Sequence, residues 1–297
     1  MKLTGNITFK GDKSISHRAI MLASICNGES IIANVPDSED INSTISALRN
    51  CGISIKKDNY QLTIVGNTFK TPKKEINCQN SGTTMRLLSG LLSFKKIKCS
   101  LIGDSSLSRR PMDRIVVPMN ELGIKATSNK GYPPINLIDF KDTKLDNITI
   151  DLPSAQVKSC ILLNGLTSTG KTSYSEKIKS RDHTEKMLHF MGAEIHSKSL
   201  NDGTNKIELK GLPYLKGKCF NIPNDPSSAA FPSAAALIIP DSEIKIKNVC
   251  LNSLRIGFYE SIIEMGGSIK FINKKDISGE VVGDIQVKYS KLKGIVV

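Results

Sequence analysis

The chain has 297 residues, enough for two ordinary domains, and its 39% hydrophobic and 23% charged content fits a soluble globular protein. No apolar run nears the ~20 residues that cross a bilayer, and residues 1–5 lack the apolar core of a secretion signal, so the cytoplasm is the expected compartment and no membrane partner is expected. A formal charge of +13 raises nucleic acid as a partner, but aromatic residues are only 5%, tryptophan is absent and the lysines are evenly spread; the distinctive cations sit beside Ser, Thr and Gly, as in a cleft for small anions.

The first predicted helix opens at Gly11-Asp12-Lys13-Ser14-Ile15-Ser16 and has its apolar body at 19–25. Ser38 caps a second helix whose Ile41, Ile45 and Leu48 share one face. It ends at Cys51-Gly52-Ile53, where glycine supplies the positive φ with which helices often close. Residues 61–65 alternate as a strand. The same grammar then returns. Asn80-Ser81-Gly82-Thr83-Thr84 leads into an apolar helix at 85–92, and Leu122-Gly123-Ile124 ends the helix after it. Residues 147–150 read as a strand, and Pro153-Ser154-Ala155-Gln156 leads into a helix at 157–163. Asp182 and Glu185 form a capping-box-like start for a helix carrying Met187, Leu188 and Met191, closed at Gly192. Asp225-Pro226-Ser227-Ser228 leads into 229–239, residues 243–246 alternate as a strand, and Gly266 closes the last helix.

Gly52, Gly123, Gly192 and Gly266 therefore recur about every 70 residues, which marks four copies of one α/β unit with two helices and several strands. Units packed on a common core can turn several helix N-termini toward one cleft, where free N–H groups and Ser or Thr hydroxyls face an anion. The same Ser and Thr residues also cap their helices, and capping alone explains any single cluster.

Residues 165–172, GLTSTGKT, match the P-loop pattern of nucleotide hydrolases. A P-loop joins a strand to a following helix. Here the preceding segment reads as a helix and the following one as a strand, so this turn is the helix-to-strand junction that Asn27-Gly28-Glu29-Ser30 provides in the first unit. The seven cysteines are scattered without a C-x-x-C pair and read as reduced, mostly buried thiols; the four histidines form no metal-binding spacing, and no metal is expected.

Several of these segments carry a family resemblance. Gly11-Asp12-Lys13-Ser14-Ile15-Ser16-His17-Arg18-Ala19, Asn80-Ser81-Gly82-Thr83-Thr84-Met85-Arg86-Leu87 and residues 103–112, GDSSLSRRPM, resemble three signatures of the 5-enolpyruvylshikimate-3-phosphate synthase family; residues 154–159 and 180–188 resemble two more. The likeness is collinear and runs through essentially the whole chain. It implies a mixed α/β (α+β) enolpyruvyl transferase fold of two domains built from repeated βαβαββ units. Residues 12–223 would form a complete three-unit domain, and residues 1–11 with 224–297 a partial second domain. It further implies a transferase that moves the enolpyruvyl group of phosphoenolpyruvate to the 5-hydroxyl of shikimate 3-phosphate and releases phosphate, on the chorismate route to aromatic amino acids, without a cofactor, as a monomer.

By the same resemblance Lys13, Ser14, Arg18, Ser154, Gln156 and Arg181 would bind shikimate 3-phosphate. Lys13, Gly82, Arg110 and Gln156 would bind phosphoenolpyruvate, with Asn80 and Arg86 shaping that pocket. Ala155 stands where many members have a second serine, which removes one hydroxyl contact. The family has six units and this sequence has four, so the expectation is a fragment with little activity of its own. Its catalytic aspartate and glutamate are expected beyond Val297, with none in this chain. Two other readings stay open. One is a UDP-N-acetylglucosamine enolpyruvyl transferase-like enzyme, which generally carries a cysteine or aspartate in the loop that here spans residues 105–109 without cysteine. The other is a non-catalytic anion-binding protein, suggested by charge alone.

Overall fold

A computed structural model describes residues 2–141, 148–149 and 153–296. Its helices are α1 (Lys13–Ile25), α2 (Glu39–Asn50), α3 (Gly82–Phe94), α4 (Asp113–Glu121), α5 (Ala155–Gly165), α6 (His183–Phe190), α7 (Pro226–Ile238) and α8 (Gly257–Glu264). The four predicted polar clusters do open helices, but as their first turns: α1, α3, α5 and α7 begin several residues before their apolar bodies. Each start is fixed locally. Asp12 Oδ1 accepts from the Ile15 N–H (2.9 Å), Ser81 Oγ from Thr84 (3.2 Å), Ser154 Oγ from Val157 (3.4 Å) and Asp225 Oδ1 from Ser227 (2.8 Å). Ser38 caps α2 as predicted.

The capping box expected at Asp182 and Glu185 does not form. Asp182 precedes α6 without a side-chain cap bond. Its carboxylate accepts instead from Asn252 Nδ2 (2.7 Å), and Glu185 pairs with Lys158 (2.8 Å). Long-range partners have taken both side chains away from the helix end.

Among the described residues, four four-stranded sheets correspond to the four units. Glu29–Ala33, Gln61–Val65 and Ser54–Asp58 form an antiparallel run, with Cys219–Asn221 added in parallel on the outer side of Glu29–Ala33. The second sheet runs Ile76–Asn77, Cys99–Ile102, Tyr132–Phe140, Ile124–Asn129, and the third Ile148–Thr149, Lys171–Glu176, Asn205–Lys210, Ile195–Ser199. The remainder of the strand expected at 147–150 lies outside the described residues. In the fourth sheet Thr4–Ile7 lies parallel to Glu243–Cys250, followed by Glu280–Lys288 and Ser268–Ile277. The first strand of the chain thus serves the last unit, and Cys219–Asn221, which follows the third unit, completes the first.

The helix-closing glycines adopt positive φ as expected, 86° at Gly52, 77° at Gly123, 97° at Gly192 and 87° at Gly266. Residues 165–172 end α5 and enter a strand, which is not the order a P-loop requires. All seven cysteines are free; five are buried, Cys99 is half-buried and Cys219 exposed.

Two apolar cores result. The larger draws on the first three units, with Ile20, Leu48, Leu91, Ile161 and Tyr174 among its fully covered members. The smaller contains Ala229, Leu237, Ile246, Tyr259 and Ile285, with Leu3, Ile7 and Phe9 packed against it. Within the larger core α1, α3 and α5 are covered almost all round, while α2, α4 and α6 keep a solvent face. Close approach of α3 and α5 depends on Gly90, whose added Cβ would stand 2.1 Å from the Cys160 carbonyl oxygen. Packing three inner helices side by side brings their polar first turns to one end.

Candidate active site

That end is a polar cleft of about 450 Å³ lined by Lys13, Glu39, Asp40, Asn80, Gly82, Thr83, Arg86, Arg110 and Gln156. Each residue arrives on a defined element. Lys13 is the first residue of α1, Gly82 and Thr83 open α3, and Gln156 lies in the first turn of α5. Arg110 follows a short 3₁₀ turn at Leu107–Arg109, held by Leu107, whose side chain is buried in the larger core.

The cations are fixed by polar neighbours. Lys13 Nζ lies 2.8 Å from Asp40 Oδ2 with half its side chain exposed, so the ammonium remains open to the cleft. Burial alone would raise the Asp40 carboxyl, but the hydrogen bond and the charge of Lys13, with a bond from Ser81, together hold it below the usual range. Arg86 Nη1 donates to Gln156 Oε1 (2.6 Å) and Nη2 to the Pro111 carbonyl (3.3 Å), while Gln156 Nε2 donates to Thr83 Oγ1 (2.9 Å). Burial, then the charges of Arg114 and Arg110, lowers the Arg86 guanidinium to about 10, which leaves it charged at neutral pH. Arg110 Nη2 donates to Asn80 Oδ1 and, at 3.5 Å, to Ser106 Oγ. Gly82 sits between the two arginines: a Cβ there would lie 3.1 Å from Arg86 Nη1 and 3.4 Å from Arg110 Nη1. Fixed donors of this kind suit multiply anionic substrates and the charge that shifts among them during reaction.

Lys13, Asn80, Gly82, Arg86, Arg110 and Gln156 are therefore brought together. Ser14, Arg18, Ser154 and Arg181 do not line the cleft. Ser14 and Ser154 are half-buried at the starts of α1 and α5, and Ser154 Oγ is engaged as the cap. Arg18 is buried. Its Nε donates to Thr184 Oγ1 (2.8 Å), Nη1 to the Ser14 carbonyl (2.9 Å) and Nη2 to Ser159 Oγ (2.9 Å) and the Ala155 carbonyl (3.4 Å), so it ties α1 to α5 and α6. Arg181 is exposed and feels the charges of Arg255, Asp12 and Asp225.

Three lining residues were not singled out from sequence: Glu39, Asp40 and Thr83. Glu39 and Asp40 follow the Ser38 cap and carry the look of an ordinary acidic first turn, which masks the link from Asp40 to Lys13. Thr83 stands within the recognised Asn80–Thr84 cluster, but its bond to Gln156 spans 73 positions.

Comparison with known proteins identifies the family. The EPSP synthase (3-phosphoshikimate 1-carboxyvinyltransferase) family matches residues 1–297. The 3-phosphoshikimate 1-carboxyvinyltransferase of Bartonella henselae is 42% identical over 300 residues, which take in 100% of this chain and 68% of that protein. The enzyme of the same name from Streptococcus uberis is 42% identical over 98% of this chain and 68% of its own length. The solved EPSP synthase from Acinetobacter baumannii superposes with a TM-score of 0.89 at 38% identity, covering 99% of this chain and 67% of that one. The chain belongs to the EPSP synthase family, transferases that move the enolpyruvyl group of phosphoenolpyruvate onto shikimate 3-phosphate in aromatic amino acid biosynthesis.

Proposed function

We propose that the cleft at the starts of α1, α3 and α5 holds both substrates of this transfer, with phosphoenolpyruvate against Lys13, Gly82, Arg110 and Gln156, and Asn80 and Arg86 shaping its pocket. Shikimate 3-phosphate lies alongside, toward Lys13, Ser14, Arg18, Ser154, Gln156 and Arg181. The observation that carries this reading is the Arg86–Gln156–Thr83 chain, because it joins α3 to α5 in the cleft that Lys13 and Arg110 also line. Lys13 and Gln156 sit where both ligands meet. Arg18 supports the shikimate side from beneath by holding α1 and α5 together.

Two lobes follow as part of the proposal, residues 12–223 and residues 1–11 with 224–297. Support comes from the pairing of Thr4–Ile7 with Glu243–Cys250, of Cys219–Asn221 with Glu29–Ala33, and from the separate apolar cores. A cytoplasmic monomer is the setting we favour. The free thiols support the compartment, and no helix among the described residues is long and apolar enough to cross a membrane.

Calorimetric titration tests the assignment. Shikimate 3-phosphate should bind the chain, and Lys13→Gln should weaken it by roughly tenfold or more, as expected for a charge-assisted contact. Unchanged affinity in that variant places the substrate elsewhere.

A further inference from the structure

Behind the cleft a buried arginine joins the two lobes. Arg255 lies just before α8, and its side chain is 4% exposed. Its Nη1 stands 2.7 Å from Asp12 Oδ2, and its Nη2 is 3.0 Å from Asp225 Oδ1. Those two carboxylates are the N-caps of α1 and α7, one helix on each core. Each carboxylate uses Oδ1 for its helix cap, so Arg255 meets the other oxygen of Asp12 as an ion pair, outside hydrogen-bond geometry, and donates to the capping oxygen of Asp225. The network continues. Arg255 Nη1 is 3.3 Å from His183 Nε2, and His183 Nδ1 is 2.6 Å from Glu280 Oε1; a proton on Nδ1 satisfies both contacts. Burial raises Asp225, and the neighbouring Asp12 raises it further. Burial opposes ionisation of Asp12 too, yet the Arg255 charge and the bond from the Ile15 N–H help to keep its carboxyl low.

Asp12 is the residue before Lys13 and Ser14. A guanidinium spans two carboxylates with a rigid planar fork, which a single ammonium cannot do. We propose that Arg255 is a positioning residue for the transfer reaction: by clamping the cap of α1 to the cap of α7 it sets the direction in which Lys13 and Ser14 face the substrate. The proposal rests on the assignment of Lys13 to the substrate site.

A thermodynamic cycle tests it, with shikimate 3-phosphate as the titrant and a melting curve for every variant. Arg255→Gln should weaken binding by roughly tenfold, since small misplacements of a binding group are costly. Arg255→Lys should recover only part of the loss. In a Lys13→Gln background Arg255→Gln should have much less effect, because the group it orients is gone. If Arg255→Gln does not fold, Asp12→Asn cuts one arm of the clamp, because the amide oxygen keeps the cap and the amide NH2 then faces the guanidinium; a weakening of several-fold is expected. A damaging Lys13→Gln with a silent Arg255→Gln or Asp12→Asn overturns the clamp alone. Equal losses from Arg255→Gln in both backgrounds also overturn it, as does full recovery by Arg255→Lys. A silent Lys13→Gln overturns the site assignment and the clamp together.

Discussion

Arg86 on α3 donates to Gln156 on α5 across 2.6 Å, and this one bond crosses between two units of the repeat at the floor of the cleft. Because Gln156 also donates to Thr83, its amide orientation is fixed from both ends. Gln156→Ala should release Arg86 and weaken both ligands. Hydrogen bonds to charged groups contribute about 1.5–3 kcal/mol, so titration should show roughly a 10- to 150-fold loss for phosphoenolpyruvate.

Gly82→Ala separates binding from folding. Its φ is not in the left-handed region, and alanine is a better helix residue than glycine, so the melting temperature should hold or rise slightly. The added methyl meets Arg86 Nη1 tightly at 3.1 Å and touches Arg110 Nη1 at 3.4 Å, so it takes up the space that a ligand would share with the two guanidinium groups. Phosphoenolpyruvate affinity should fall by roughly tenfold, about 1.4 kcal/mol, because the methyl stands where the ligand approaches. Shikimate 3-phosphate affinity, measured without phosphoenolpyruvate, should change far less.

Lys158 illustrates a buried charge whose role is structural. It is 1% exposed and pairs with Glu176 at 2.9 Å and Glu185 at 2.8 Å, and it donates to the Ser180 carbonyl at 3.0 Å. Lys158→Met leaves two carboxylates buried without their cation and should cost about 3–5 kcal/mol in urea unfolding. Neutralising the pair as well, by adding Glu176→Gln and Glu185→Gln, should recover much of that loss.

His17 makes stability fall in acid. Full burial lowers its pKa from 6.5 to about 3, and only Nδ1 has a partner, Thr44 Oγ1 at 2.7 Å. The folded protein therefore refuses a proton that the unfolded chain accepts below pH 6.5. The stabilisation is complete above that pH and is lost as pH falls from 6.5 toward 3. At pH 5 the loss from this group is about 2 kcal/mol. Urea midpoints across pH 7 to 5 should fall in the parent protein and less steeply in His17→Gln.

The sequence was most legible where structure is made locally. Asp12, Ser81, Ser154 and Asp225 each bond to a backbone N–H two or three positions on, and the four helix-closing glycines need only their own φ, so spacing alone revealed four units. It was least legible where a side chain leaves its neighbourhood. Asp182 and Glu185 have the spacing of a capping box but are claimed by Asn252 and Lys158, 70 and 27 positions away. Asp40 looks like any acidic residue in a first turn until α1 places Lys13 beside it. The family signatures identified Lys13, Gly82, Arg110 and Gln156 as neighbours, whereas the burial of Arg18 depends on α5 and α6 packing over it.

A crystal structure of this chain grown with phosphoenolpyruvate and shikimate 3-phosphate is the most direct test of the shared cleft. The phosphoenolpyruvate anion should lie between Arg110 and the backbone at Gly82, with Lys13 and Gln156 touching both molecules. Density for either ligand on another face, with this cleft filled only by water, would contradict this placement.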